Sequence, residues 1–538
     1  MIRTPHLSSF LFATIRTQAL ATVTLGLILT LGLAASAQSG HDPREKGVAT
    51  AAGSNIDTDT TFQAAVSYGS GGFQANSVAA ADVNGDGIPD LIVAHACESS
   101  TNCNSGGVIG VLLGNGDGTF QPAVTYSSGG DYATFVTVAD VNQDGKPDLV
   151  VTNANTGSVA VLLGNGNGTF QPAVTYSYTG AYPFGVAVAD LNGDGKPDLA
   201  VANLIVYANG QGSVTTLLAN GSGGFEPGVS YGAGAVDTHA VVIADVNGDG
   251  KPDLVLANAY TGSVAVLLGN GDGTFQTAVN YGSGGQAAVS VALADINGDG
   301  KLDIIVANYC VLNAYSCGAA IFRGAVAVLL GNGDGTFQPA VSYDSGGYQG
   351  DSVAVADLNR DGKLDLIVAN ECGISGCGYE YGGIVAVLWG NGDGTFQNAV
   401  PYGSGGNAAT SVAVADFNGD GLPDLVVADY CMSSGDCSSS VVGVLLGAYA
   451  QTITFTTNPP SRALVGHSFT VAATGGGSGN PVIFTSAGAC SNTGPTYTMT
   501  SGKGTCEVIA NQAGNTQYAP APQITESVIA TESSPFRR

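Results

Sequence analysis

Basic side chains are scarce in this sequence of 538 residues: Lys and Arg number 15 against 42 Asp and Glu, and the formal net charge is −27. Nucleic acids and anionic membrane surfaces are bound through clustered positive charge, so this balance argues against both as partners. Histidine occurs 5 times and tryptophan once. There is no G-x-S-x-G nucleophile motif, and the histidines after residue 37 (His41, His95, His239 and His467) are scattered. Only His239 is a candidate general base, and the sequence shows no recognisable catalytic constellation.

Long hydrophobic runs are also missing, apart from one near the N-terminus. Arg3 and Arg16 precede this run, residues 19–35 are uncharged and apolar, and Ala35-Ser36-Ala37 follows. This order predicts a cleaved signal peptide over residues 1–37 and a linker over 38–58. The protein is therefore expected to be secreted or held at the cell surface, with no membrane span after cleavage. The alternative is an uncleaved anchor, because the run is almost long enough to span a bilayer.

The ten cysteines fall in pairs that are close in sequence: Cys97 and Cys103, Cys310 and Cys317, Cys372 and Cys377, Cys431 and Cys437, and Cys490 and Cys506. In an exported protein such pairs predict local disulfides. Zinc is the competing interpretation, but no pair has a two-residue spacer and histidine is nearly absent nearby. Disulfides are therefore favoured.

A repeat organises most of the chain. The motif D-x-N-x-D-G-x-x-D begins at Asp82, Asp140, Asp190, Asp245, Asp295, Asp357 and Asp416. Each copy lies between two short apolar runs and is followed by two more, which predicts four short antiparallel strands per unit. Seven such sheets arranged radially predict an all-β fold, a seven-bladed β-propeller over residues 59–449.

The outer strand of the seventh blade is missing from the end of the repeat region. The Thr-Phe signature of that strand occurs first at Phe62, before the first acidic loop, whereas the last unit stops after its third strand, residues 441–447. Residues 61–68 are therefore predicted to supply the outer strand of blade 7 and to close the ring. The alternative is an open array of seven units with both edges unpaired.

The repeated acidic motif predicts calcium binding. It places side-chain oxygens at positions 1, 3, 5 and 9 and a backbone carbonyl at position 7, and such hard oxygen ligands suit Ca²⁺. The alternative is a network of Asx turns without metal. About seven structural Ca²⁺ ions are expected, bound by Asp82, Asn84, Asp86, Ile88, Asp90; Asp140, Asn142, Asp144, Lys146, Asp148; Asp190, Asn192, Asp194, Lys196, Asp198; Asp245, Asn247, Asp249, Lys251, Asp253; Asp295, Asn297, Asp299, Lys301, Asp303; Asp357, Asn359, Asp361, Lys363, Asp365; and Asp416, Asn418, Asp420, Leu422, Asp424.

Units such as VAVADLNGDGKPDL followed by VLLGNGDGTF resemble the FG-GAP or VCBS repeats that build the integrin α-subunit propeller, over about residues 59–447. The resemblance implies calcium in the hairpin between the first and second strands, and ligand contacts on the opposite face. On that face it places the cysteine pairs of blades 1, 5, 6 and 7 in neighbouring loops between strands 2 and 3, together with Tyr309, Tyr315, Tyr379, Tyr381 and Tyr430. These loops are either a recognition surface or long loops stiffened by disulfides.

After residue 450 the composition changes to short β-strands. Residues 450–532 resemble a bacterial Ig-like β-sandwich with Cys490 and Cys506 paired across strands, followed by a tail over 533–538; a loose linker is the alternative. The expected function is non-enzymatic adhesion or recognition of an extracellular protein or glycan by a monomer. A calcium-dependent lectin and a propeller-bearing enzyme acting on polysaccharides are the alternatives.

Overall fold

The computed structural model describes residues 60–98, 106–177, 181–205, 211–221, 223–311, 323–373, 382–432 and 439–532. All regular secondary structure in these ranges is β-strand, so the predicted all-β class is confirmed. A bilayer-spanning helix is absent from them. The described part of the chain divides into two compact units, residues 64–446 and residues 447–532 with 60–63.

The strands up to the end of the repeat region are β1 (Thr60–Phe62), β2 (Val66–Gly69), β3 (Phe73–Ala81), β4 (Asp90–Cys97), β5 (Val108–Leu112), β6 (Val124–Ser127), β7 (Ala133–Ala139), β8 (Asp148–Asn153), β9 (Ser158–Leu162), β10 (Val174–Ser177), β11 (Ala181–Ala189), β12 (Asp198–Ile205), β13 (Ser213–Leu217), β14 (Val229–Gly232), β15 (Thr238–Ala244), β16 (Asp253–Asn258), β17 (Ser263–Leu267), β18 (Val279–Gly282), β19 (Gly285–Ala294), β20 (Asp303–Val311), β21 (Arg323–Leu329), β22 (Val341–Ala356), β23 (Asp365–Cys372), β24 (Ile384–Leu388), β25 (Val400–Gly403), β26 (Asn407–Ala415), β27 (Asp424–Cys431) and β28 (Val441–Leu445).

Sets of four antiparallel strands repeat through the first unit, and we call them blades. Blades 1 to 4 are β3–β6, β7–β10, β11–β14 and β15–β18. Blades 5 and 6 are β19–β22 and β22–β25, because the 16-residue strand β22 is both the outer strand of one and the inner strand of the next. Blade 7 has the order β2-β28-β27-β26. This repeated architecture confirms the predicted β-propeller fold.

The inner strands of neighbouring blades contact each other through buried side chains and hydrogen bonds. The backbone N–H of Val353 donates to Ser290 Oγ at 3.3 Å, and that of Val412 donates to Ser352 Oγ at 3.4 Å. The same contact joins blade 7 to blade 1, where Val78 N–H donates to Ser411 Oγ at 3.1 Å. Blades 1 and 7 also share one hydrophobic cluster. The last blade therefore packs against the first.

Two short strands occupy the region predicted as a single outer strand over residues 61–68. β2 pairs with β28, Val66 opposite Val444 and Gly69 opposite Val441. β1 pairs instead with the residues that follow β28, and Phe62 lies opposite Gly447. Phe120 lies opposite Gly114 in the same way in blade 1, and there too three unpaired residues separate the Phe from the outer strand. The predicted continuous strand is corrected to two, because residues 63–65 between the Phe pairing and the blade edge belong to no strand.

The second unit also contains β29 (Gly447–Tyr449), β30 (Thr454–Thr457), β31 (Arg462–Leu464), β32 (Ser468–Thr470), β33 (Ala472–Thr474), β34 (Val482–Gly488), β35 (Cys490–Thr493), β36 (Thr496–Met499), β37 (Thr505–Gln512) and β38 (Ala521–Thr531). A sheet of order β31-β38-β37-β34 and a sheet of order β32-β36-β35 share a core around Tyr497, Val508 and Val528. The predicted disulfide Cys490–Cys506 is present. The Ig-like assignment of this unit stays a prediction.

Candidate metal centre

Each acidic motif forms the hairpin between the first and second strands of a blade. In blade 1 this hairpin runs from Asp82, directly after β3, to Asp90, the first residue of β4. Asp86 and Gly87 at its tip are exposed, whereas Asp90 is fully buried. The structure therefore separates the predicted ligands into half-buried residues at positions 1 and 3, an exposed residue at position 5 and a buried residue at position 9.

The loop backbone donates its N–H groups to the first three of these side chains. Asp82 accepts from Gly85 N at 2.7 Å and from Gly87 N at 2.8 Å, Asn84 Oδ1 accepts from Asp86 N at 2.8 Å, and Asp86 Oδ1 accepts from Ile88 N at 2.9 Å. Closely similar bonds occur in the other six hairpins. These bonds curl the loop and hold the side-chain oxygens against it.

The aspartate at position 9 fastens the hairpin to the rest of its blade. In blade 6, Asp365 Oδ2 accepts from Leu358 N at 2.9 Å and Oδ1 accepts from Gly390 N at 2.8 Å, just beyond the third strand. The first bond occurs in all seven hairpins. Burial raises the pKa of Asp365 to about 7 and that of Asp90 to about 6, against the N–H bonds, with smaller contributions from the neighbouring carboxylates. The sequence did not reveal this fastening role, because Gly390 lies 25 residues away.

Five of the hairpins carry a lysine that pairs with the aspartate at position 5. Lys146, Lys196, Lys251, Lys301 and Lys363, predicted only as carbonyl donors at position 7, place Nζ between 2.8 and 3.7 Å from the Asp two residues earlier. Blades 1 and 7 carry Ile88 and Leu422 there instead. In those blades Asp86 Oδ2 accepts from Asn84 Nδ2 and Asp420 Oδ2 accepts from Asn418 Nδ2. The seven hairpins thus differ in local charge.

The donor set of these hairpins is chemically suited to Ca²⁺. Carboxylate and amide oxygens at positions 1, 3, 5 and 9 and the carbonyl at position 7 are hard ligands, and no sulfur or imidazole is among them. Each carboxylate oxygen that accepts one N–H keeps further lone pairs for a cation. Within the described ranges, however, no three Asp, Glu, His or Cys side chains are grouped as metal ligands would be. The residues fit the ion by chemistry, and the seven predicted calcium sites stay a prediction.

The opposite end of the blades carries the cysteines. Cys97, Cys310, Cys372 and Cys431 lie at or near the ends of second strands, are buried, and take part in disulfides. Their predicted partners Cys103, Cys317, Cys377 and Cys437 lie outside the described residues, as do Tyr315, Tyr379 and Tyr381. The four pairings and the surface that they would stiffen therefore stay predictions.

Tyr309 and Tyr430 are only partly accessible. Tyr309 OH donates to Glu371 Oε2 at 3.4 Å and accepts from Gln349 Nε2, and burial raises the pKa of both tyrosines. His239, the candidate general base, is buried with its ring 5.1 Å from Phe184. A general base has to reach a substrate proton, and a buried imidazole packed on an aromatic ring is poorly placed for that role.

Comparison with known proteins agrees with the repeat architecture. Residues 100–151, 140–201, 203–256, 245–306, 318–368 and 375–427 match the FG-GAP-like repeat, and residues 75–106 and 349–388 match the FG-GAP repeat. No curated protein matches the chain.

Several solved structures are distantly similar. They include a protein from Lactobacillus plantarum (14% identity, TM-score 0.42, 60% of this chain and 83% of that one) and the V. cholerae biofilm matrix protein Bap1 (16%, 0.35, 73% and 89%). Virginiamycin B lyase from Staphylococcus aureus is another (10%, 0.42, 72% and 100%). Likenesses this distant do not identify a function for the chain.

The fold and the repeated hairpins define a repeat β-propeller protein. The FG-GAP-like matches alone cover more than half of the chain. The chain belongs to the FG-GAP repeat family.

Proposed function

We propose that the chain is an exported, calcium-stabilised propeller that recognises a protein or glycan outside the cell without catalysing a reaction. The observation that carries this proposal is the sevenfold recurrence of a hairpin with oxygen ligands at positions 1, 3, 5, 7 and 9. Seven loops with three aspartates each account for half of the 42 acidic residues. Such a concentration of negative charge at one end of the blades is relieved when divalent cations bind.

Recognition is proposed for the opposite end of the blades. Four second strands end at or near disulfide-bonded cysteines, and these strands belong to blades 5, 6, 7 and 1, which are neighbours once blade 7 packs on blade 1. Disulfides restrict a loop before it meets a ligand, which reduces the entropy lost on binding. A lectin is the second candidate for the same surface, because Tyr side chains are suited to sugar contacts.

The calcium proposal is tested by titrating metal-free protein with CaCl₂. Sites of this extracellular type bind with a Kd of about 10⁻⁴ to 10⁻³ M, and each site filled at ten times its Kd adds about 1.4 kcal/mol to the free energy of unfolding. Several sites together are expected to raise the melting temperature by roughly 10 °C. Equilibrium dialysis with metal analysis gives the stoichiometry, with about seven ions expected per chain. A melting temperature equal in EGTA and in 10 mM CaCl₂ would contradict the proposal, and MgCl₂ at equal ionic strength is the control.

The lysines at position 7 are expected to weaken their sites. An exposed ion pair contributes about 0.2 to 1 kcal/mol, so Lys146→Ile should raise the calcium affinity of its site about 1.4- to 5-fold. Ile88→Lys should weaken the blade 1 site by a similar factor. Calorimetric titration of the two variants beside the unmodified protein tests the expectation. Equal affinities in all three would show that the lysine does not compete with the cation.

The recognition proposal is tested with fluorescently labelled protein applied in calcium to a glycan array and to immobilised extracellular proteins. Binding should be lost after reduction of the disulfides under conditions in which melting shows the propeller still folded. Binding confined to glycans would favour the lectin. Release of soluble sugar from a bound polysaccharide, abolished by His239→Ala, would overturn the non-enzymatic assignment.

A further inference from the structure

A buried side-chain contact repeats between neighbouring blades. Near the end of the second strand, an Asn accepts a hydrogen bond from a Ser that follows the outer strand of the preceding blade, and its amide donates back to the carbonyl of that Ser. In blade 2, Asn153 Oδ1 accepts from Ser128 Oγ at 2.6 Å and Nδ2 donates to Ser128 O at 3.0 Å. Asn308 with Ser283 and Asn370 with Ser345 make both contacts as well. We call this pair the Ser–Asn clasp.

Blade 7 carries an acid at this position. Asp429, within Ala-Asp-Tyr-Cys, stands where Asn370 stands within Ala-Asn-Glu-Cys of blade 6. Ser404 Oγ donates to Asp429 Oδ1, as in the other clasps. Asp429 and Ser404 have no solvent exposure, and no group of the described residues donates to Asp429 Oδ2. The oxygen that replaces the donating amide nitrogen therefore lacks a hydrogen-bond donor.

An ionised carboxylate with one unpaired oxygen is costly to bury, whereas a proton on that oxygen gives it the donor that the amide supplies in the sibling blades. We propose that Asp429 acts in its neutral form as the blade 7 member of the clasp, and that its ionisation loosens blade 7 from blade 6. In the other clasps the Asn amide donates to the carbonyl of its partner Ser. By analogy, the proton on Asp429 would be donated to the carbonyl of Ser404. Because blade 7 packs against blade 1 to complete the ring, the ring would be held by a pH-sensitive contact.

The surroundings of Asp429 support a neutral acid. Burial raises its pKa to about 7, against the hydrogen bonds from Ser404 and Gly406. Titratable groups on the elements around it include Tyr430 on β27, and in blade 6 Glu371 on β23, the fully buried Asp351 on β22 and Tyr402 on β25. In blade 1, His95 on β4 bonds to Ser70, which bonds in turn to Ser440. β26 and β28 carry no titratable side chain. None of these groups, within the described residues, contributes to the shift of Asp429.

The sign of the pH dependence follows from this shift. The pKa of Asp429 in the folded protein lies above its ordinary value of 3.8, so the folded state binds the proton more tightly than the unfolded state does. The stabilisation is complete below about pH 4, is lost as the pH rises to about 7, and stays lost above it. A difference of about three pKa units corresponds to an increase of up to roughly a thousandfold in the unfolding equilibrium constant across this range.

Two reciprocal variants test the proposal by urea denaturation of metal-free protein from pH 4.5 to 8.5, so that calcium binding does not contribute. Asp429→Asn should be more stable than the unmodified protein at pH 8, and the difference between the two should vanish near pH 4.5. Asn370→Asp should install a second loss of stability between pH 4 and 7 in blade 6.

The control is Asn511→Asp in the second unit, which lies on β37 outside the propeller and should leave the propeller transition unchanged. A parallel pH profile for Asp429→Asn and the unmodified protein would overturn the proposal. Failure of Asp429→Asn to fold at any pH would also overturn it, because a neutral amide has to be accepted if the clasp holds a neutral acid.

Discussion

A chain that begins at Ser70 should melt about 6 °C below a chain that begins at Thr60. The shorter chain lacks β2, so the third strand of blade 7, β28, becomes an unpaired edge. It also lacks Tyr68, whose ring packs edge-on against Phe120 of blade 1 at 5.5 Å. Burial of one such side chain contributes about 1.5 to 3 kcal/mol and each ladder hydrogen bond about 0.5 to 1.5 kcal/mol, so a loss of about 5 kcal/mol is expected.

Scanning calorimetry of three truncations measures this effect. A chain that begins at Ala64 keeps β2 and loses only β1, and its propeller transition should stay close to that of the chain beginning at Thr60. Tyr68→Ala in the longest chain isolates the contribution of the ring. If the chain beginning at Ser70 melts at the same temperature as the chain beginning at Thr60, the segment before the repeats does not close the propeller.

The second large effect concerns the buried aspartate at position 9. Asp365→Ala leaves the N–H groups of Leu358 and Gly390 without their acceptors inside the blade. Buried donors without an acceptor cost about 1 to 3 kcal/mol each. The variant no longer has a carboxylate to desolvate, and this offsets some of that cost. A loss of about 2 to 4 kcal/mol in the free energy of unfolding is therefore expected, and it should be seen in EGTA as well as in calcium.

Asp361→Ala in the same hairpin is the matched control. Asp361 is exposed, so its removal should change stability in EGTA by no more than about 0.5 kcal/mol and should act mainly on the increment that calcium adds. Urea denaturation of both variants in EGTA and in CaCl₂ separates the two roles. If both variants lost the same free energy of unfolding in CaCl₂ and neither lost any in EGTA, position 9 would act only as a ligand.

The sequence alone was sufficient for the all-β class, the repeat and the place of each acidic motif between two strands. The alternating apolar runs and the Gly- and Asn-rich turns act over a few residues, so they are visible in any single copy of the repeat. The disulfide Cys490–Cys506 could also be predicted, because the two residues were the only pair in the C-terminal region. The same local pattern grouped the acid at position 9 with the oxygen-bearing side chains at positions 1, 3 and 5.

What only the tertiary structure decided depends on contacts between distant parts of the chain. Asp365 meets Gly390 across the blade, and residues 61–68 form two strands because Phe62 bridges to Gly447 while Val66 pairs with Val444. Nothing in the local sequence distinguishes Asp429 from other strand residues. The fold shows that it is fully buried at a position that Asn occupies in blades 2 to 6. The sequence determines which side chains are present in each repeat, whereas burial and the partner across the blade determine whether a carboxylate faces solvent, fastens a strand or keeps its proton.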